Sequence, residues 1–292
     1  MTTLEKIIKG SYLLIINPRL FSKYLASHLK RLMPKWRHFR PSIRSKNISG
    51  VLFDFDFNYL GYKTLYIKQM YFDCYEIATV EAIKKMLRPG DIFIDVGANI
   101  GYLTAIGAGL VGKAGQVHSF EPVSESFQRL KKIAEMNPGY KIIVNNCALG
   151  EKSGMIKMDF IKPPYSSGST MVPGMLNDRM PRENIEVSVI RLDDYIKKNI
   201  LKKITLIKID VEGFEFPVLK GLENYFKETD YKPVIICEIA PSAYHFLGHT
   251  SEQLLEYMRK YEYYPFNIMY PNLRIGIADF KDGVEVIFKT LK

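Results

Sequence analysis

The stretch richest in chemistry is Asp91-Ile92-Phe93-Ile94-Asp95-Val96-Gly97-Ala98-Asn99-Ile100-Gly101, an apolar run that ends in an acid and opens into a glycine turn. It reads as a buried strand feeding a helix, with Gly97 and Gly101 letting a ligand approach the backbone. Glu121 follows the next strand-like run, Gln116 to Phe120. A carboxylate there can accept both hydroxyls of a ribose, as at the end of the second strand of nucleotide-binding βαβ units. These residues are spaced to hold a nucleoside-bearing cofactor. A turn made only for packing would carry the same glycines without the acid.

The glycines select among such cofactors. A dinucleotide fingerprint reads G-x-G-x-x-G, with the backbone close to a pyrophosphate at a helix N-terminus. Here Ala98-Asn99 stand between Gly97 and Gly101, so the glycine that makes room for a pyrophosphate is missing. That argues against an NAD-dependent oxidoreductase and for a cofactor without phosphate, such as S-adenosylmethionine. Its methionine carboxylate can take backbone N–H groups at the turn, while Asp95 orients the turn or reaches the cofactor's amino group. Gly97 and Asn99 would contact the methionine portion.

A second run, Ile204 to Gly213, surrounds Lys208 with apolar residues and ends in Asp210-Val211-Glu212-Gly213. Ligands in open α/β sheets bind outside the carboxyl ends of strands, where Asp210 and Glu212 emerge. Methyl transfer is an in-line displacement at a sulfonium carbon, so positioning supplies much of the rate. A hydroxyl acceptor must still lose its proton, and a placed base helps. Asp210 stands first among the candidates, followed by Glu212 and Glu238; His245 and His249 rank below the acids. Lys208 would pair with these acids or lower a neighbouring pKa, and inside a strand it needs a partner in any case. The same three acids have the oxygen chemistry of a divalent cation site, but nothing in the sequence demands a metal and none is assigned.

These pieces together resemble the FkbM-type family of S-adenosylmethionine-dependent methyltransferases. The resemblance is carried by Phe93 to Gly101, Ser119-Phe120-Glu121-Pro122, Cys147-Ala148-Leu149-Gly150, Arg191-Leu192-Asp193-Asp194, Lys208 to Gly213 and Cys237-Glu238-Ile239, in the family's order across roughly residues 75 to 240. The first 48 residues lie outside it. It implies a Rossmann-like class I methyltransferase fold, a mostly parallel seven-stranded sheet with helices on both faces. It also implies O-methylation, often of sugars in glycans, glycolipids or secondary metabolites. Cys147 and Ala148 would hold the adenine edge, and Glu76 matches an acid that the family often carries near the cofactor, although a plain helix-face acid explains Glu76 equally.

The elements that must position these residues follow from periodicity. Strands and helices alternate as strand 91–96, helix 100–111, strand 116–120, helix 123–136 and strand 141–147, a βαβ series that implies a parallel sheet. Residues 153–160 and 185–191 form an inserted strand pair around Pro163 to Pro181, a segment suited to a lid over the acceptor. Then come strand 204–209, helix 214–226, strand 233–239, helix 251–260 and strands near 263–270 and 284–290. Ahead of the core, Val51–Phe57 and Lys63–Tyr71 alternate around Asn58-Tyr59-Leu60-Gly61 and suggest a hairpin. The domains are accordingly a basic amphipathic helical segment (1–48), a β-hairpin extension (49–75) and the catalytic domain (76–292).

Charge is concentrated at one end. Residues 1–48 hold 11 Lys/Arg against the single acid Glu5, while the remaining chain balances 30 against 30. Leu13, Leu14, Ile16, Leu20, Phe21, Tyr24, Leu25, Leu29, Leu32 and Trp36 run through that segment at roughly helical spacing. The combination fits an interfacial helix pair on an anionic membrane, or an amphipathic helix packed on the enzyme body. Its longest apolar stretch, Tyr12 to Ile16, is too short to span a bilayer. A nucleic-acid methyltransferase would use the basic tail, but the Asn/Asp-Pro-Pro-aromatic run of many such enzymes is replaced by Asp210-Val211-Glu212. A non-catalytic module that only binds the cofactor is weighed against by the intact acids at 210, 212 and 238. The odd cysteines Cys74, Cys147 and Cys237 have no metal-ligand spacing and read as reduced thiols of a cytoplasmic protein, peripheral at the inner membrane surface if the N-terminus is an anchor.

Overall fold

A computed structural model describes residues 43–57, 67, 69–161, 168–176 and 182–291. The basic amphipathic segment expected at the N-terminus lies outside the described residues up to position 42, as do Asn58 to Gly61.

The core is a seven-stranded sheet among the described residues. Its strands are β3 (Ile92–Val96), β4 (Gln116–Phe120), β5 (Ile142–Asn145), β9 (Ile204–Ile209), β10 (Val234–Ile239), β11 (Tyr264–Asn267) and β12 (Val284–Lys289). The order across the sheet is β11-β12-β10-β9-β3-β4-β5. β10, β9, β3, β4 and β5 are parallel to one another, and β12 is antiparallel to both β10 and β11. Helices flank it: α1 (Ile77–Met86), α2 (Tyr102–Val111), α3 (Ser124–Met136), α4 (Leu192–Lys198), α5 (Glu215–Lys220), α6 (Glu223–Glu228), α7 (Pro241–Tyr244) and α8 (Ser251–Lys260). Phe93, Ile94, Asp95 and Val96 are all buried, as are Leu206 to Ile209. Burial of consecutive residues means both faces are covered, which is why these strands read as continuous apolar runs rather than alternating ones. The seven-stranded, mostly parallel architecture expected from the sequence is therefore present.

The order contains one reversal. From β3 the chain steps outward to β4 and β5, then returns to lay β9 on the other side of β3. That reversal opens a crevice at the carboxyl ends of β3 and β9, the place where such sheets bind ligands. The return passes through a three-stranded sheet of order β6-β8-β7: β6 (Ala148–Leu149), β7 (Gly154–Ile161) and β8 (Arg182–Ile190). The inserted strand pair was expected; the pairing of β6 with β8 was not, because the sequence ran β5 and Cys147 together as one strand.

Two other expectations are corrected. The hairpin is formed by β1 (Ile43–Ile48) and β2 (Val51–Asp56), not by 51–57 with 63–71. Its turn is Ser49-Gly50, both with left-handed backbone (φ 53 and 97), the conformation a tight hairpin turn demands. The boundary at residue 48 therefore cuts through a strand pair. Ile67, Gln69, Met70 and Tyr71 are helical, and the buried Ile67 and Met70 are spaced three apart, a helical rather than a strand period. Helix 214–226 is likewise two helices, α5 and α6, broken at Gly221, whose added Cβ would meet the Gly150 carbonyl at 2.3 Å.

Contacts divide the chain into two units, residues 1–46 with 54–77, and residues 47–53 with 78–292. In the first, Lys46 pairs with Asp73 at 2.8 Å and Tyr71 packs edge-on against Phe55 and Phe57. In the second, the hairpin tip is fixed by Asn137, which exchanges two hydrogen bonds of 2.8 Å with the backbone of Leu52, and by Phe53 packed edge-on against Tyr102. Every candidate site residue except Glu76 belongs to this second unit.

Candidate active site at the carboxyl ends of β3, β9 and β10

The glycine turn is built chiefly from contacts inside the protein. Gly97 has φ 76, and a Cβ placed there would fall 1.8 Å from the carbonyl oxygen of Asp210. Gly101 has φ 85, and its Cβ would meet the side-chain ends of Ile133 and Leu130 on α3. Both glycines thus serve close packing between elements, where the sequence reading had them admit a ligand. The turn amides are similarly committed: Gly97 and Ala98 donate to the Phe120 carbonyl, Gly101 to the Ala98 carbonyl, and Asn99 to Glu121 Oε2 at 2.8 Å. These four amides are therefore engaged within the protein.

Glu121 is the pin of this arrangement. One carboxylate oxygen accepts from Asn99 and the other from Val123, both at 2.8 Å, so the acid ties the β3 turn to the start of α3. Asn99 itself has left-handed backbone (φ 51), and its side-chain oxygen accepts from Ser126.

Asp95 is fully buried and accepts from Thr104 Oγ1 on α2 at 2.6 Å; Thr104 in turn shares a hydrogen bond with Ser119. Its Oδ1 has no hydrogen-bond partner among the described residues. Burial raises its pKa, with the charge of Lys208 pulling the other way. Lys208 is the register partner of Asp95 across β3 and β9. Its ammonium, 3% exposed, lies 2.7 Å from Asp210 Oδ2. The lysine therefore has the acid partner that its burial requires.

Asp210 and Glu238 are hydrogen-bonded to each other, and their environments separate them. Burial alone would raise Asp210, but the charge and hydrogen bond of Lys208, with the bond from Glu238, hold it below the ordinary carboxylate range. Burial first, then repulsion from Asp210, Glu212 and Glu215, pushes Glu238 up to about 10. Repulsion between the two acids opposes their both being ionised, and Lys208 favours the charge on Asp210. Glu212 extends the cluster from a left-handed backbone (φ 53). Among the described residues no group of three or more His, Cys, Asp or Glu is arranged to hold a metal ion.

The motif set in this geometry coincides with a family profile. The methyltransferase FkbM domain profile matches residues 95–265, from Asp95 at the end of β3 to the start of β11. The chain belongs to the FkbM methyltransferase family. It is 31% identical over 169 residues to the 31-O-demethyl-FK506 methyltransferase FkbM of Streptomyces tacrolimicus, covering 47% of this chain and 62% of that protein. It is 28% identical over 149 residues to the hexuronic acid methyltransferase AglP of Haloferax volcanii, covering 51% of this chain and 56% of that one. The match thus spans less than two thirds of either relative. A crystal structure of a methyltransferase FkbM from Methylobacillus flagellatus KT aligns over 79% of this chain and 55% of that chain, at 20% identity and a TM-score of 0.40.

The remaining candidate and motif residues are placed as follows. Asp193 forms a two-pronged ion pair with Arg191, caps the Asp194 amide and accepts from the Asn224 amide, so it joins the starts of α4 and α6. Cys147 is buried, its thiol pushed up to about 11 by burial, and Ala148 beside it is buried where β6 begins. Glu76 has left-handed backbone (φ 41) just before α1, in the other unit. His249 lies against Lys220 and Phe216.

Two residues escaped the sequence reading. Glu215 is fully buried in the first turn of α5, and its Oε1 accepts from the amides of Val211 and Gly213. An acid two residues past a glycine turn, in the first turn of a helix, is a readable signal for this back-bonding. Thr170, in the insertion, donates to the Glu212 carbonyl at 2.6 Å. No local signal reports a contact across so many residues. In the described part of the segment expected as a lid, Ser169, Thr170, Met171 and Val172 are buried and Pro173 and Gly174 are exposed.

Proposed function

We propose that this protein is an S-adenosylmethionine-dependent O-methyltransferase acting on a hydroxyl of a saccharide or related metabolite. The observation that carries the reading is the Lys208–Asp210 ion pair of 2.7 Å at the carboxyl end of β9, with Glu238 on the neighbouring strand β10. Asp210 emerges where β9 abuts the Gly97 turn, which brings a charged acceptor of protons next to the cofactor end of the sheet.

S-adenosylmethionine, when bound, supplies an electrophilic methyl group on a sulfonium. Glu121 accepts the ribose hydroxyls while continuing to hold Asn99 and Val123. Gly97, Asn99 and Gly101 would shape the methionine end, Cys147 and Ala148 would border the adenine, and Asp95 would complete the cofactor set. The residues fit such a cofactor because the carboxylate at the end of β4 is already fixed at the reversal, and Asp95 brings an unpartnered buried oxygen beside the turn.

Asp210 would accept the hydrogen bond of the acceptor hydroxyl and take up its proton. With the pKa of Asp210 held low, its larger contribution is aiming the oxygen lone pair. Glu238, with its pKa raised, donates to Asp210 and opposes a second charge. Lys208 keeps Asp210 ionised although it is partly withdrawn from water. Glu212 lines the acceptor side. One relative, a 31-O-demethyl-FK506 methyltransferase, supports an oxygen acceptor, and the other, a hexuronic acid methyltransferase, supports a saccharide-derived one.

The test is incubation of the full chain with methyl-labelled S-adenosylmethionine and separate pools of neutral glycosides, hexuronosides, lipids, protein and RNA. Label in a glycoside or other hydroxyl compound, retained through mild base, is expected. Label confined to RNA or protein overturns the reading.

A further inference from the structure

The turn that presents Asp210 and Glu212 is gripped from two sides. Glu212 and Gly213 both have left-handed backbone (φ 53 and 98), which is strained for a non-glycine residue and persists only where surroundings dictate it. On one side Glu215 Oε1 takes the amides that flank Glu212, from Val211 at 3.2 Å and Gly213 at 2.9 Å. On the other side Thr170 Oγ1 donates to the Glu212 carbonyl, and Thr170's own backbone exchanges two hydrogen bonds with Asp159 of β7. Gly213 is seated without spare room, since an added Cβ would lie 2.5 Å from Ala243 and 3.2 Å from Val172.

Neither gripping residue can reach a ligand, for Glu215 is 0% and Thr170 1% exposed. Whatever they do, they do through the turn. Glu215 is moreover an expensive way to fill space. Its Oε2 has no hydrogen-bond partner among the described residues, and burial, with repulsion from Asp210, raises the carboxyl to about 7. A buried unsatisfied oxygen of this kind is destabilising, and an apolar side chain would avoid it.

We propose that Glu215 and Thr170 are positioning residues that clamp the Asp210–Gly213 turn, making the inserted β7–β8 arm a working part of the site. The functional meaning of the clamp rests on the reading of Asp210 as the proton acceptor. Its existence does not.

The experiment uses the isotope-labelled full chain without added ligand, so that it needs no methyl acceptor. Amide hydrogen exchange at Val211 and Gly213 and the side-chain carboxyl ¹³C resonance of Asp210 are compared in wild type, T170V, E215L and E215Q. In T170V and E215L both amides exchange at least ten-fold faster and the Asp210 resonance moves, while core amides of β3 and β9 keep their protection. E215Q retains both signatures, because its amide oxygen still accepts from the two N–H groups. Unchanged exchange in T170V, faster exchange with an unmoved Asp210 resonance, or E215Q behaving like E215L would overturn the clamp. If E215L does not fold, T170V and E215Q decide it. A D210N variant that still transfers methyl at the wild-type rate would refute the base assignment and leave the clamp standing.

Discussion

Asp210, Glu238 and Glu215 begin as similar carboxyl groups and end with different protons because their neighbours differ. Asp210 has an ammonium 2.7 Å away; Glu238 has only other acids and burial; Glu215 has two backbone amides and complete burial. D210N is expected to lower turnover by about 10²–10⁴-fold while cofactor affinity, by calorimetry, stays within a few-fold. A parallel fall in affinity would make Asp210 a binding residue instead. For Glu121 the expectation is graded. E121A should lose cofactor affinity and also loosen the turn, since the Asn99 and Val123 amides lose their acceptor; E121Q keeps one acceptor oxygen and should fall between. Affinity unchanged in both variants would remove Glu121 from the ribose site. Glu215 also makes a pH prediction. Its folded pKa of about 7 is above the unfolded value of roughly 4.3, so the folded state holds a proton that the unfolded state has released. Stability therefore falls as pH rises from about 4 to 7, by roughly 3 kcal/mol from this group, and no further above 7. Urea titrations at a series of pH values should show that slope reduced in E215Q; an identical slope would mean that Glu215 ionises normally.

At the scale of elements, the site depends on how closely the ends of β3 and β9 approach. Gly97 shows the constraint, because its missing side chain is the space occupied by the Asp210 carbonyl. Gly90 is a natural control: it has φ 93, but an added Cβ would meet nothing within 4 Å. G90A should therefore cost only the left-handed penalty, about 1–2 kcal/mol. G97A carries the same penalty plus a backbone collision that can be relieved only by parting the two strands. Denaturant unfolding should show G97A losing at least twice as much stability as G90A, with cofactor affinity reduced as well. Equal losses would mean that the two strand ends separate at no cost.

The whole chain carries its excess charge outside the methyltransferase domain. Residues 1–42 hold nine Lys/Arg against Glu5, and among the described residues no helix is long and apolar enough to cross a membrane. The proposal of an interfacial anchor makes a direct prediction. The full chain should sediment with phosphatidylglycerol vesicles, not with phosphatidylcholine vesicles, and be released by salt, since each Lys or Arg near an anionic surface contributes about 1 kcal/mol. Removing residues 1–42 should abolish sedimentation and leave cofactor affinity intact, because the motifs that carry the cofactor reading lie downstream. Binding to both vesicle types alike would argue against an electrostatic anchor.

What the sequence determined alone were features whose cause is local. Continuous apolar runs announced buried strands, acids at strand ends marked the edge of the sheet where ligands bind, and the missing middle glycine chose the cofactor class. Strand pairing was less legible. The Ser49-Gly50 turn decides that β2 pairs backward with β1, and a short left-handed turn looks much like a loop until its partner strand is seen. Tertiary structure alone decided the rest, since it depends on approach between distant segments. The glycines of the turn pack against protein, its amides are spent on β4 and Glu121, and the middle of the insertion is locked against Glu212. Above all, favouring charge on Asp210 over Glu238 requires β9 and β10 to lie side by side with Lys208 beneath Asp210. A carboxyl's identity is written in the chain, but its charge is set by what the fold brings within a few ångströms.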